Sequence, residues 1–172
     1  PQTGGSFGFD LRQGINAMWG EHGVNAKMNH KKSEFSAGYR FGPRDFYEMW
    51  RDNEETFRFG NGTILHRIEQ GTPDHAEKYM HNAHLTYSFQ DAKQLFNASI
   101  RYGEDHNKHW DYQGTLYNKE IPSDKVAMID RNPSLYQRPS VDIYYQRNMP
   151  KDQTLVFNIV GTLNRTDSRR VY

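Results

Sequence analysis

In YMHNAHLTYSFQDAKQLFNASIRY, residues 79–102, apolar and polar positions alternate on either side of a polar turn. Tyr79, His81, Ala83, Leu85, Tyr87 and Phe89 fall on one face of an extended chain. Asn82, His84, Thr86 and Ser88 fall on the other. After the turn at 90–94 the alternation resumes, with Phe96, Ala98, Ile100 and Tyr102 opposite Asn97, Ser99 and Arg101. A period of two over this length predicts an antiparallel hairpin, one face suited to an apolar medium and the other to water.

Two further hairpins follow the same pattern. In GSFGFDLRQGINA, Phe7, Phe9, Leu11, Ile15 and Ala17 share a face, with Gln13 as the exception. Residues 19–23 read as a turn. Val24, Ala26 and Met28 then alternate with Asn25, Lys27 and Asn29, and after a charged turn at 30–33, Phe35, Ala37, Tyr39 and Phe41 alternate with Ser36, Gly38 and Arg40. Near the other end VDIYYQR turns at 148–153 and returns as TLVFNIVGTLN, with Leu155, Phe157, Ile159 and Leu163 on one face.

Between the hairpins, over about 42–77 and 103–139, the pattern dissolves. Pro43 predicts a strand end. Phe46, Met49, Trp50 and Phe57 have partial helical spacing, Asn61-Gly62 is a hairpin-type dipeptide with a short outer strand expected after it at 63–68, and residues 123–130 have room for a short helix. The expected architecture is all-β: residues 1–172 form a single antiparallel up-and-down meander of about seven or eight strands. Short turns lie at one edge and the two long loops at the other. Loops of that length in a compact domain tend to be functional.

Two media fit such a pattern. A soluble β-sandwich buries its apolar face against a second sheet. A transmembrane β-barrel turns that face to lipid and lines its interior with the polar one. Three features favour the barrel: the asymmetry of turn lengths, aromatics at both ends of the strands (Phe35, Tyr87, Phe89 and Phe96 near short turns; Tyr39, Phe41, Tyr79 and Tyr102 at the far ends), and a polar face of Asn, Ser, Thr, Arg and His. On this reading Asn82, His84, Thr86, Asn97, Ser99 and Arg101 face the lumen.

Composition narrows the function. Hydrophobic residues are only 35% and mean hydropathy is -1.00, yet aromatics reach 14%, more than a disordered chain carries. With 22 Lys+Arg against 21 Asp+Glu, no basic excess points to nucleic acid. The chain has no cysteine, which removes disulfides, thiol catalysis and Cys-based zinc sites. Nucleophile-elbow, His-Glu-x-x-His and phosphate-loop motifs are absent, so an enzyme is not expected and no cofactor is implied. His81 and His84 fall on opposite strand faces and cannot chelate together. His106 and His109, beside Glu104 and Asp105, read as part of a solvated loop rather than a metal site. The loop aromatics with their neighbours, Trp50 and Arg51, Trp110 and Tyr112, are the ligand-binding candidates. Trp and Tyr stack on sugars or planar ligands, and Arg holds carboxylates; the alternative is that they pack the loops themselves.

RPSVDIYYQRNMPKDQTLVFNIVGT and NAHLTYSFQDAKQLFNASIRY resemble barrel strands of TonB-dependent outer-membrane receptors. NAKMNHKKSEFSAGYRFGPRDF and RDNEETFRF resemble the middle of the same barrels. The resemblance implies residence in the outer membrane of a Gram-negative bacterium. It also implies energy-coupled uptake of an iron chelate or a glycan, with membrane lipid and an inner-membrane energy-coupling protein as partners. The family's plug domain and energy-coupling box are not seen. Seven or eight strands are also about a third of the roughly 22 in plugged transporters, so the chain is expected to be a fragment of a larger barrel. The other reading is a soluble all-β binding module, secreted or periplasmic.

Overall fold

The structure, a computed structural model, describes residues 3–15 and 18–171; the expected apolar position Ala17 lies outside them. Among the described residues the chain is all strand and turn. β1 (Gly4–Gln13), β2 (Met18–His30), β3 (Ser33–Met49), β6 (Asp74–Gln90), β7 (Gln94–His109), β10 (Ser134–Met149) and β11 (Gln153–Thr162) lie side by side in that order, all antiparallel. β12 (Arg165–Ser168) continues β11 along the far part of β10. The meander predicted from alternation is present. Its two outer edges, β1 and the β11–β12 line, are not paired with each other among the described residues, so the sheet is open.

The three short turns share one edge. Lys31 opens the β2–β3 turn with a φ of 55°, and Lys151 and Asp152 shape the β10–β11 turn with φ of 65° and 56°. Between β6 and β7, Asp91 Oδ1 accepts the backbone N–H of Lys93 at 2.8 Å and of Gln94 at 2.9 Å. This is the local side-chain bonding that makes Asp a turn residue, and these bonds hold its carboxyl below the ordinary aspartate value.

The segments expected to be long loops are strands. β4 (Asn53–Arg58), β5 (Ile64–Thr72), β8 (Tyr112–Asn118) and β9 (Ile121–Asp130) form a second sheet in the order β4-β5-β8-β9. That order repeats β3-β6-β7-β10. Each strand of the second sheet continues a strand of the first across a break of one to three residues, at 50–52, 73, 110–111 and 131–133. Four long kinked strands therefore rise past the first sheet on the side away from the short turns. The helix expected at 123–130 is instead most of β9. Asn61-Gly62 forms the β4–β5 turn, with Gly62 at φ 85°.

Three further local expectations are corrected. Pro43 does not end β3. The β2–β3 ladder opens at Gly42 and Pro43, and Arg44 Nη1 donates across the gap to the Gly20 carbonyl at 2.7 Å. The helix-like spacing of Phe46 and Met49 is a register shift in the β3–β6 ladder between those residues, because a bulge adds a residue and breaks the period of two. The turn expected at 19–23 is part of β2, and the β1–β2 connection falls earlier, closed by Gly14 N–H donating to the Trp19 carbonyl at 2.7 Å. Gly20 marks close packing: a Cβ there would sit 2.6 Å from Gln13 Oε1 and 2.8 Å from His22 Nε2. Ile15 lies beyond the end of β1 and is fully exposed.

No conventional core exists among the described residues. Ala76 is the one buried hydrophobic residue and Ser134 the one buried polar residue. The second sheet of a sandwich, which would cover the apolar face, is not there; the upper sheet extends the lower one instead of packing on it.

The β8–β9 turn is tied to β5 by Glu120. Its carboxylate accepts hydrogen bonds from the His66 ring Nδ1 and, at 3.2 Å, from the His66 backbone N–H. The ring bond, followed by the backbone bond, holds the carboxyl below its ordinary value of 4.5. A depressed folded pKa contributes stability above the ordinary value and loses it as pH falls through the folded value. The β8–β9 turn is therefore expected to loosen below about pH 4.5. Amide exchange at residues 66 and 118–121, followed against pH, should show that acid loosening, and Glu120→Gln should flatten it. Identical pH profiles for both proteins would contradict the assignment.

Candidate functional site

Ladder register places most apolar residues of the first sheet on a single face, with Leu95, Val156 and Val160 on the other. Phe7, Ala26, Ala37, Leu85, Ile100 and Val141 are successive partners in one row across six strands. The next row toward the short turns runs Met28, Phe35, Tyr87, Ala98, Ile143 and Ile159. Nothing described lies over them. Phe7 is 73% exposed, Leu85 55%, Ile100 58% and Phe157 52%. Full burial of such a side chain yields roughly 1.5–3 kcal/mol. Half that gain over ten of them matches the whole stability of a domain, about 5–15 kcal/mol. The face therefore requires an apolar cover.

Tyrosine hydroxyls border this face on both sides, each turned away from its middle. Toward the short turns, Tyr87 OH lies 3.1 Å from Ser33 Oγ, and Tyr145 OH donates to Gln94 Oε1 at 3.2 Å. On the far side, Tyr39 OH lies 2.7 Å from His81 Nδ1. Tyr102 OH donates to Glu104, whose Oε2 also accepts from Gln137 Nε2 at 3.0 Å. Tyr79 OH donates to Glu77, which Lys108 Nζ reaches at 3.0 Å. In every case the partner sits one row further out than the tyrosine. Beyond these borders the same face becomes charged. The stretch of β6 from Tyr79 to Phe89 has the length of about 9–11 residues that a tilted transmembrane strand needs.

The opposite face is polar and hollowed. His84 pairs with Arg101 and Thr86 with Ser99 across the β6–β7 ladder, and Asn97 pairs with Ser88, so the predicted polar residues of this hairpin share one face. Asn82, His84, Thr86 and Arg101 line a cavity of about 630 Å³ whose walls come from six strands, β1 to β10. Asn97 lines a second hollow of about 600 Å³ nearer the short turns, with Lys32 and Glu34. Ser99 lies on the strand between them. Sequence reasoning missed Arg40, Asp10 and Arg138, which also line the larger cavity. Arg40 had a visible signal, its place on the polar side of β3; Arg138 lay in a stretch read as loop.

The predicted ligand residues gather at the junction of the two sheets. Arg51 stacks its guanidinium over Tyr112, 4.5 Å from the ring centroid, and pairs with Glu69 at 2.6 Å. Trp110 meets Phe46 edge to face at 5.9 Å, so it packs the junction itself. Trp50 stays more than half exposed. The backbone of Arg51 crosses directly over Gly71, where a Cβ would sit 2.5 Å from the Arg51 carbonyl oxygen. Asp52 Oδ1 accepts the Gly71 N–H at 2.9 Å. Beneath them, His75 Nε2 lies 2.6 Å from Asp45 Oδ1, and its ring stacks on His109 at 5.8 Å. His109 is thus engaged with His75 and, at 3.6 Å, with Asp111, while His106 sits further along β7 opposite Tyr79 and Leu135. No cluster of three or more metal-ligating side chains forms among the described residues.

Comparison with known proteins returns no matching family model, no matching curated protein and no matching solved structure.

Arg51→Ala removes a cation–π contact and a partly exposed ion pair, each worth roughly 0.5–1 kcal/mol. It is expected to raise amide exchange at 69–72 and 112–114 while leaving β6 and β7 protected below the junction. Arg51→Lys should restore little, since lysine lacks the planar fork. Unchanged exchange in Arg51→Ala would show that the main-chain crossing alone holds the junction.

Proposed function

We propose that the chain is part of the wall of an outer-membrane β-barrel of the TonB-dependent receptor class, acting in energy-coupled uptake of a nutrient such as an iron chelate or a glycan. One observation carries the membrane half of this reading: an uncovered apolar face is bordered on both sides by tyrosines whose hydroxyls point away from it. Lipid supplies the cover, and the tyrosines meet the two headgroup layers. The open edges support the reading further. In lipid an unpaired strand edge is not tolerated, so β1 and the β11–β12 line pair with further strands of a larger barrel.

The transport half rests on the likeness of NAHLTYSFQDAKQLFNASIRY and RPSVDIYYQRNMPKDQTLVFNIVGT to receptor strands. The upper sheet fits it, standing above the membrane with Trp50 and the Arg51–Tyr112 stack at its base. Asn82, His84, Thr86, Asn97, Ser99 and Arg101 then face the lumen. The inner-membrane energy-coupling protein acts through other parts of the parent protein, and the role of this segment is non-catalytic. The competing reading, a soluble all-β module, needs a protein cover for the apolar face, and no described element supplies one.

Adjacent substitutions on β6 separate the two readings. In full-length protein folded into lipid, Leu85→Arg is expected to cost about 2–4 kcal/mol, the penalty for arginine at the lipid-facing midplane of a barrel. Thr86→Arg, one residue on, is expected to cost no more than about 0.5 kcal/mol. Equal costs would overturn the lipid-facing assignment. So would an intact protein that stays in solution without detergent.

A further inference from the structure

The polar face carries more cation than its neighbours neutralise. In the larger cavity Asp10 is paired with Arg12 at 2.9 Å, and Arg138 with Asp105 at 2.7 Å. The side chains of Arg40 and Arg101, which line the same cavity, make no hydrogen bond or ion pair with another described residue. They flank β6 from either side: Arg40 faces Asn82 across one ladder, and Arg101 faces His84 across the other. Two strand spacings across the sheet and two residues along it put their Cα atoms about 12 Å apart, so two extended guanidinium groups can close on one small molecule between them. Asp142, one row nearer the short turns on β10, makes no ion pair with either.

Glycine lets neighbouring side chains lie flat against the sheet between them. Gly38 stands opposite His84 and Gly103 opposite both Asn82 and Arg138. A Cβ on Gly38 would sit 2.3 Å from the His84 ring, and one on Gly103 would sit 3.4 Å from Asn82 Oδ1. The long side chains lie over these bare backbone positions, leaving a hollow of about 630 Å³ beside them. That volume is in the range of small-molecule sites, about 300–1,000 Å³.

From this we infer that the hollow binds a small multivalent oxyanion, a polycarboxylate or a phosphate or sulfate ester. Arg40 and Arg101 grip its oxygens by their planar forks, and Asn82 and Thr86 hydrogen-bond its neutral groups. Guanidinium matches carboxylate and phosphate with paired N–H donors. The site stands on the polar face alone and does not depend on what covers the other.

Calorimetric titration of the full-length protein with tricarballylate and with pyrophosphate tests it. At least one should bind in low salt, with affinity falling as sodium chloride is raised. Arg40→Gln and Arg101→Gln should each weaken binding roughly tenfold or more, the loss of one charge-assisted contact. Arg147→Gln, on the opposite face of β10, should leave it unchanged. Preference for tricarballylate assigns the site to carboxylates, and preference for pyrophosphate assigns it to phosphate esters. Binding of neither would overturn the proposal, as would an effect of Arg147→Gln equal to that of Arg101→Gln. Binding of an oligoglutamate peptide alone would assign the face to an acidic polypeptide and overturn it as well.

Discussion

Apolar side chains on one face of a sheet are stable only against another apolar surface, and in this protein that surface is not supplied by the described fold. A sandwich would meet the need with a second layer. Here the second sheet continues the first along the strand direction, so its residues never reach the face of Phe7, Leu85 and Ile100. The remaining organisation follows from that constraint. Rows of aliphatic and aromatic side chains occupy the middle of the face, tyrosines stand where it meets polar surroundings, and the same strands become charged once past Glu77 and Glu104.

The two sheets are one set of strands divided at a common level. Pro73 lacks the N–H that would carry the ladder through, and 131–133 contains Pro133. At this level Gly71 and Gly114 are direct partners across β5 and β8. The bare backbone of Gly71 lets the Arg51 main chain cross, and that of Gly114 lets β5 come close, since a Cβ there would lie only 2.2 Å from the Gln70 carbonyl oxygen. The kink thus combines missing donors with missing side chains, and Phe46, Trp110, Tyr112 and the His75–His109 stack fill its flanks.

Alternation was legible in the sequence wherever one strand face is polar and the other apolar. That covers β6, β7 and most of β1, β2, β3 and β11, and with them the polar positions that line the hollow. In the upper sheet only part of β5 was legible, as the strand expected at 63–68, because apolar residues there keep to no single face: Ile64 and Leu65 are adjacent on β5, and Met128 and Ile129 on β9. β4 reads NEETFR, and its charges are answered on other strands and turns, Glu55 by Arg67 and Glu54 by Lys119. Such pairs are distant along the chain and leave no periodic trace. Alternation failed at Phe46–Met49 because a bulge counterfeits helical spacing, and at Gly20 because a glycine chosen for close packing resembles one chosen for a turn. The ligand candidates Arg51 and Tyr112 were legible by residue type, but their contact was not, since they are brought together only by the kink.

Nitroxide labels placed singly at residues 82–88 of β6 in the membrane-reconstituted full-length protein test the central claim most directly. Collision with oxygen, which concentrates in lipid, is expected to dominate at 83, 85 and 87. Collision with a water-soluble nickel chelate is expected to dominate at 82, 84, 86 and 88. Labels at 83, 85 and 87 shielded from oxygen or open to the chelate would mean that protein or water, not lipid, covers the apolar face, and would contradict the account.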